Sequence, residues 1–137
     1  MNALLFTNAI IFDGDKFVDA DSLRVADGVV TEIGAQLTAN DGEQVIDVDQ
    51  KWLLPGLVDC HVHFREPGLV RKEGYVFGSR GALHGGVTTV CEIQNNPPLM
   101  STPQLLQQKL DDLRGKSFVD YVPYGSLVEE SLEHLPE

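Results

Sequence analysis

Asp59, His61, His63 and Arg65 stand two residues apart inside the run Pro55–Gly68, PGLVDCHVHFREPG. In an extended strand alternate side chains share a face. The spacing therefore predicts Asp59, His61 and His63 on one side, and Cys60 and Val62 on the other. Two imidazoles side by side on a strand can hold one divalent metal, and a neighbouring carboxylate can orient them. Arg65 adds a planar cation at the rim, a group suited to recognising a substrate carboxylate. A bare H-x-H triplet carries little weight, because such histidines are more often surface or hydrogen-bonded core groups. Context raises it: Trp52–Val58 reads as a turn feeding a buried strand, and ending such a strand in Asp, His and His is costly unless they bind something.

Other chemically capable residues receive plainer readings. His84 sits at the end of a predicted helix, where a cation favours the C-terminal dipole, and His134 is expected to be solvated. Glu92 at a strand rim needs no functional cause, and Glu66 is expected to shape the turn with Pro67 and Gly68. Cys60 alternates away from the histidines toward a helical layer, which argues against a thiol–imidazole nucleophile pair. Asp13-Gly14-Asp15 lacks the remainder of a calcium loop and reads as a turn.

The elements that would position these groups change character near residue 53. Residues 1–52 form a small β segment, with strands expected at Ala3–Phe12, Ser22–Val25, Val29–Ile33 and Gln44–Val48 around turn signals such as Asp27-Gly28. From 53 to 137 the pattern alternates: strand Leu57–Phe64, helix Lys72–Gly85, strand Val87–Ile93, a helix begun by Thr102 and Pro103 and ending near Gly115, strand Phe118–Pro123, and a further helical start over Glu129–Leu135. Leu105, Leu106, Leu110 and Leu113 mark the buried stripe of the second helix. Such alternation implies an α/β fold of parallel strands. The expected architecture is a small β-sandwich-like segment (1–52) followed by the first three βα units of an incomplete (β/α)8 TIM-type barrel (53–137), since a closed barrel takes about 250 residues. His61 and His63 fall at the C-terminal end of its first strand, where barrel enzymes place their chemistry.

Composition bounds the remaining choices. The chain has 137 residues, is 42% hydrophobic and carries a net charge of −11, which argues against nucleic acid and anionic membrane surfaces as partners. No stretch is long and apolar enough to span a bilayer, and the first residues lack the pattern of a secretion signal. Cys60 and Cys91, each within an apolar run, are expected to be buried free thiols, and the protein to be cytoplasmic.

The run Pro55–Gly68 resembles the signature of the amidohydrolase superfamily, and Arg65-Glu66-Pro67-Gly68 narrows the resemblance to dihydroorotase. Gly85-Gly86-Val87-Thr88-Thr89-Val90, with Asn95 and Pro98, is similar to that family's glycine pair, second strand and following loop. The resemblance covers nearly the whole chain and implies its N-terminal portion. It implies that His61 and His63 are metal ligands, usually for one or two zinc ions, that Arg65 and Asn95 hold the dihydroorotate carboxylate, and that Asp59 supports from a second shell. It also implies the reversible cyclisation of N-carbamoyl-aspartate to dihydroorotate in pyrimidine synthesis, with the metal activating water and polarising the ring carbonyl. No catalytic acid or base is expected within these 137 residues, so the chain alone is expected to be inactive. A small-molecule substrate, a homo-oligomeric state and a possible transcarbamoylase partner complete the expectation.

Gln94 and Asn96 depart from the family pattern, which has Pro and Thr there, and leave open a hydantoinase- or allantoinase-type substrate. A non-catalytic dihydroorotase-like scaffold is the alternative from a different functional class. The retention of His61, His63, Arg65 and Asn95 argues against it.

Overall fold

The computed structural model describes residues 3–134. The chain divides into two compact units, Met1–Pro55 and Gly56–Glu137.

The first unit contains strands β1 (Ala3–Thr7), β2 (Ile10–Ile11), β3 (Ser22–Ala26), β4 (Val29–Gly34), β5 (Gln44–Asp47) and β6 (Trp52–Leu53). Four of them form a sheet in the order β4-β3-β1-β5, and β2 pairs with β6 separately. The strand expected over Ala3–Phe12 is broken at Asn8, whose φ of 55° is a left-handed conformation that asparagine tolerates. The Asn8 amide donates to the Asp47 carboxylate at 3.1 Å, which fixes the corner. Asp13 accepts from the backbone N–H groups of Asp15 and Lys16, both at 2.9 Å, so this acidic cluster is a turn. Leu5 and Ile11 are buried within the unit.

The second unit contains β7 (Leu57–Val62), α1 (Tyr75–His84), β8 (Val87–Glu92), α2 (Pro103–Leu113) and β9 (Asp120–Pro123). Its three strands are parallel and lie in sequence order, β7-β8-β9, giving the mixed α/β pattern that alternation predicts. Phe64, Tyr75, Val90, Leu113 and Val119 form the core between strands and helices. The Phe64 and Tyr75 rings meet edge to face at 5.0 Å. Gly78 allows that approach, because a Cβ there would sit 2.4 Å from Phe64 Cδ1.

Both helices are shorter than the sequence suggests. α1 starts at Tyr75, behind Gly74 at φ 85°, while Val70–Lys72 forms a separate 3-10 turn. α2 begins as expected, with the Thr102 hydroxyl accepting from Leu105 N–H at 3.2 Å and Pro103 in the first turn, and ends at Leu113. Its most buried residues are Lys109 and Leu113, whereas Leu105, Leu106 and Leu110 are only half-buried. Glu129–His134 is a 3-10 helix, and Leu135 of the expected final helix lies outside the described residues. Among the described residues no helix is long and apolar enough to cross a membrane.

Candidate functional site

Strand β7 does not keep strict alternation through the candidate motif. Asp59 pairs with Val90 and Val62 with Glu92, so three residues advance on β7 against two on β8. A bulge of this kind re-aims the side chains beyond it. The irregularity falls between Asp59 and His63, so strict alternation does not carry the single face expected for Asp59, His61 and His63, while the two histidines do come together. Their rings lie 5.0 Å apart, nearly perpendicular. The Asp59 carboxylate accepts from the His61 backbone N–H at 3.0 Å, pinning the bulge rather than an imidazole.

His63 is oriented from the neighbouring strand. Its Nδ1 lies 2.7 Å from the Ile93 carbonyl oxygen. A carbonyl can only accept, so Nδ1 carries the proton and, in the neutral ring, Nε2 presents a bare lone pair. This is the orientation that metal-binding histidines receive from a backbone partner. Two imidazoles so placed suit zinc as part of a ligand set, and a catalytic zinc takes three protein ligands and an open position. Among the described residues no group of three or more His, Cys, Asp or Glu comes together. His61 and His63 therefore fit a metal as a pair, not as a full set.

Arg65 follows at φ 68°, in the left-handed region. Its guanidinium donates to the Asn95 side-chain oxygen, joining the residue beyond β7 to the residue beyond β8. Asn95 is exposed, while its neighbours Gln94 and Asn96 are buried. With its oxygen engaged by Arg65, the Asn95 amide has its N–H donors left for a ligand. A cation and amide donors brought together in this way are chemically suited to an anion.

The departures at Gln94 and Asn96 turn out to be internal to the loops. Gln94 Nε2 donates to the carbonyls of Pro67 at 3.0 Å, Asn96 at 3.2 Å and Pro98 at 3.1 Å. Asn96 Nδ2 donates to Pro67 at 2.9 Å and Pro97 at 3.2 Å. Beneath them Lys109, fully buried, pairs with Glu92 and donates to Gln94 Oε1 at 2.7 Å. The Tyr75 hydroxyl stands 3.4 Å from Glu92, and its burial and that carboxylate hold the phenol protonated well above its ordinary range. Burial pulls the Lys109 ammonium below its usual range, and contact with Glu92 opposes this.

Sequence reading missed this network. Lys109 lies among Gln107, Gln108, Asp111 and Asp112 and resembles a solvent face, yet it is three and four residues from Leu106, Leu105 and Leu113, on the buried stripe itself. Glu66 does more than shape its turn: it accepts from Tyr75 N–H at 2.9 Å, at the start of α1, and pairs with Lys116 at 2.7 Å.

Cys60 is exposed and Cys91 half-buried, against the expectation of two buried thiols. The bulge and the open edge of β7 account for Cys60, whose strand has a neighbour on one side only among the described residues. The Tyr124 phenol is pushed above its ordinary range, chiefly by the neighbouring Cys91 thiol. His84 is exposed at the last position of α1, as its helix-end reading requires. His134 is exposed, as expected, and stands at the edge of an apolar hollow lined by Met100, Leu106 and Leu127.

The sequence and the fold that carry these residues have counterparts among known proteins. Residues 52–119 match the amidohydrolase family model. That segment is amidohydrolase-family sequence. The chain is 37% identical over 131 residues to the dihydroorotase of Lactobacillus helveticus (strain DPC 4571), covering 95% of this chain and 30% of that protein. It is 37% identical over 130 residues to the dihydroorotase of Enterococcus faecalis (strain ATCC 700802 / V583), with the same two coverages. Among solved structures, the L-hydantoinase (dihydropyrimidinase) of Arthrobacter aurescens superposes with a TM-score of 0.86 at 27% identity, over 97% of this chain and 30% of that one. The D-hydantoinase of a Thermus species gives 0.68 at 28% identity, over 96% and 30%. The chain thus spans about 30% of the length of the curated relatives it matches.

Proposed function

We propose that this chain supplies the metal-binding pair and the carboxylate-reading pair of a dihydroorotase-like cyclic amidohydrolase. The reaction is the reversible hydrolysis of dihydroorotate to N-carbamoyl-aspartate, in cytoplasmic pyrimidine synthesis. The observation that supports this reading is the Arg65–Asn95 bond, because it joins a cation two residues beyond His63 to an amide beyond the neighbouring parallel strand. Residues 1–52 act as the flanking β segment. Residues 53–137 act as the first βα units of a (β/α)8 barrel whose catalytic acid–base group comes from outside these residues, so the chain alone turns over nothing. The open sheet edge and exposed Leu57, Val58, Phe77 and Phe118 favour association with further barrel elements or another copy, and a transcarbamoylase is a partner compatible with the reading.

His61 and His63 would hold the metal, usually zinc. When bound, it supplies Lewis-acid polarisation of the ring carbonyl and lowers the pKa of water. The Ile93 carbonyl keeps the His63 proton on Nδ1 and its Nε2 lone pair available. Arg65 receives the substrate carboxylate through its guanidinium fork, and Asn95 holds that fork and offers its own N–H groups. The ring amide is then carried toward the histidines, since the carboxylate is anchored at the rim.

The likeness to L-hydantoinase supports a second reading, hydrolysis of a hydantoin or dihydropyrimidine ring. Those rings need carry no carboxylate, so Arg65 separates the two. A panel of dihydroorotate, dihydrouracil and hydantoin should be assayed with the metal-loaded protein carrying its full set of barrel strands. Dihydroorotate should be preferred, and Arg65→Gln should lower kcat/KM for it by about 10- to 100-fold, the loss of one charge-assisted hydrogen-bonded pair. Equal or better turnover of the uncharged rings would favour the second reading. No turnover of any ring would leave the non-catalytic scaffold.

A further inference from the structure

Gln94 is chemically constrained in a way that few buried amides are. Lys109 can only donate, so the Gln94 oxygen must face it, at 2.7 Å. The Gln94 nitrogen must then face the other way, where the carbonyls of Pro67, Asn96 and Pro98 can only accept. Lys109 is held in turn by Glu92, at the end of β8, and both side chains are 1% exposed. The result is a fixed chain running from α2 through the end of β8 into two loops.

Those loops touch along one seam. Pro67, which accepts from both Gln94 and Asn96, is two residues beyond Arg65, and Gln94 and Asn96 flank Asn95. Gly68 marks how closely the loops approach, since a Cβ there would lie 2.2 Å from the Pro97 carbonyl oxygen. Every tie between the loops is therefore within two residues of one member of the Arg65–Asn95 pair.

We propose that Lys109 and Gln94 are positioning residues for the carboxylate-reading pair: buried Lys109 orients the Gln94 amide, and that amide locks the loop bearing Asn95 to the loop bearing Arg65. This rests on the reading of Arg65 and Asn95 given above and assigns its support to two residues that touch no ligand. The polar groups at 94 and 96 are the structural counterpart of this brace. A residue at 94 without a side-chain oxygen would offer Lys109 no side-chain acceptor there.

The test compares affinity for dihydroorotate with affinity for dihydrouracil, the same ring without the carboxylate, by titration calorimetry on the metal-loaded protein. Gln94→Leu keeps the volume and leaves the Lys109–Glu92 pair intact. It should lower the dihydroorotate-to-dihydrouracil affinity ratio by about 10-fold. In an Arg65→Gln background the same change should have no further effect on the ratio. A purely structural role would weaken both ligands together and leave the ratio unchanged. The double variant Lys109→Met with Glu92→Leu, which removes the brace without stranding a charge, gives an independent reading and should lower the ratio equally. A ratio preserved in either folded variant would overturn the brace alone. An unaltered protein that binds the two ligands equally would overturn the carboxylate reading, and the brace with it.

Discussion

Gln94, Asn95 and Asn96 are consecutive polar residues with opposite fates. Gln94 and Asn96 are buried, and their amide nitrogens are spent on loop carbonyls. Asn95 between them is exposed and, among the described residues, accepts through its side-chain oxygen from half-buried Arg65. The same division separates the buried Glu92–Lys109 pair from the His61–His63 pair one strand away. Buried Glu92, Lys109 and Gln94 bond to one another and to the loops and make a scaffold, while Asn96, equally buried, donates through Nδ2 but leaves its Oδ1 without a partner among the described residues. His61 and Asn95 are exposed and His63 and Arg65 half-buried, and these are the groups proposed to meet metal and substrate. The difference teaches that burial, rather than polarity, separates the bracing residues at these strand ends from those proposed to meet a ligand.

The comparison is broken most forcefully at Lys109. Lys109→Met leaves Glu92 buried and unpaired and should cost about 3–5 kcal/mol in a urea unfolding experiment. Adding Glu92→Leu should recover most of that loss, because an apolar pair of similar volume replaces a buried ion pair at little cost. If Lys109→Met alone proves neutral, the scaffold half of the comparison fails.

A smaller effect tests the edge of the scaffold. Burial raises the Glu66 carboxyl, but the Lys116 hydrogen bond and the Tyr75 N–H outweigh it, so its pKa is lowered on folding. A carboxyl with a depressed folded pKa stabilises above its unfolded pKa, and that contribution disappears as pH falls through the folded value. Wild-type protein should therefore lose stability below about pH 4.3 more steeply than Glu66→Gln, by on the order of 1 kcal/mol given that Lys116 is 41% exposed. Acid titrations of the two proteins that run parallel, with no steeper loss in the wild type, would exclude this role for Glu66.

Smallest of all should be the stability effect of Asn95→Ala. An exposed rim residue removed from the surface should change unfolding by no more than about 0.5 kcal/mol, while weakening dihydroorotate binding. A large stability loss would move Asn95 into the scaffold and erase the contrast with its neighbours.

Much of the fold was legible because its signals are local. Thr102-Pro103 announces α2, Gly85-Gly86 stops α1, and β-branched Val87–Val90 opens a parallel strand. The breaks were harder to read. Asn8 adopting φ 55°, Gly74 delaying α1 and the three-against-two bulge after Asp59 each depend on tertiary partners that no spacing rule contains. The histidine pair and the Arg65–Asn95 pair could be named from the motif. Their support could not, because Lys109 and Gln94 acquire their roles only when α2 packs on β8 and brings a lysine 2.7 Å from a glutamine 15 positions away.

The central claim is that His61 and His63 are an oriented metal-binding pair, and it is tested most directly by titrating zinc into the protein while following imidazole ¹⁵N resonances. The account predicts that His61 and His63 shift together as one equivalent is added, with His63 coordinating through Nε2 and keeping the Nδ1 proton bonded to Ile93, while His84 and His134 stay unmoved. An absence of zinc-induced shifts at His61 and His63, or equal shifts at all four histidines, would contradict it.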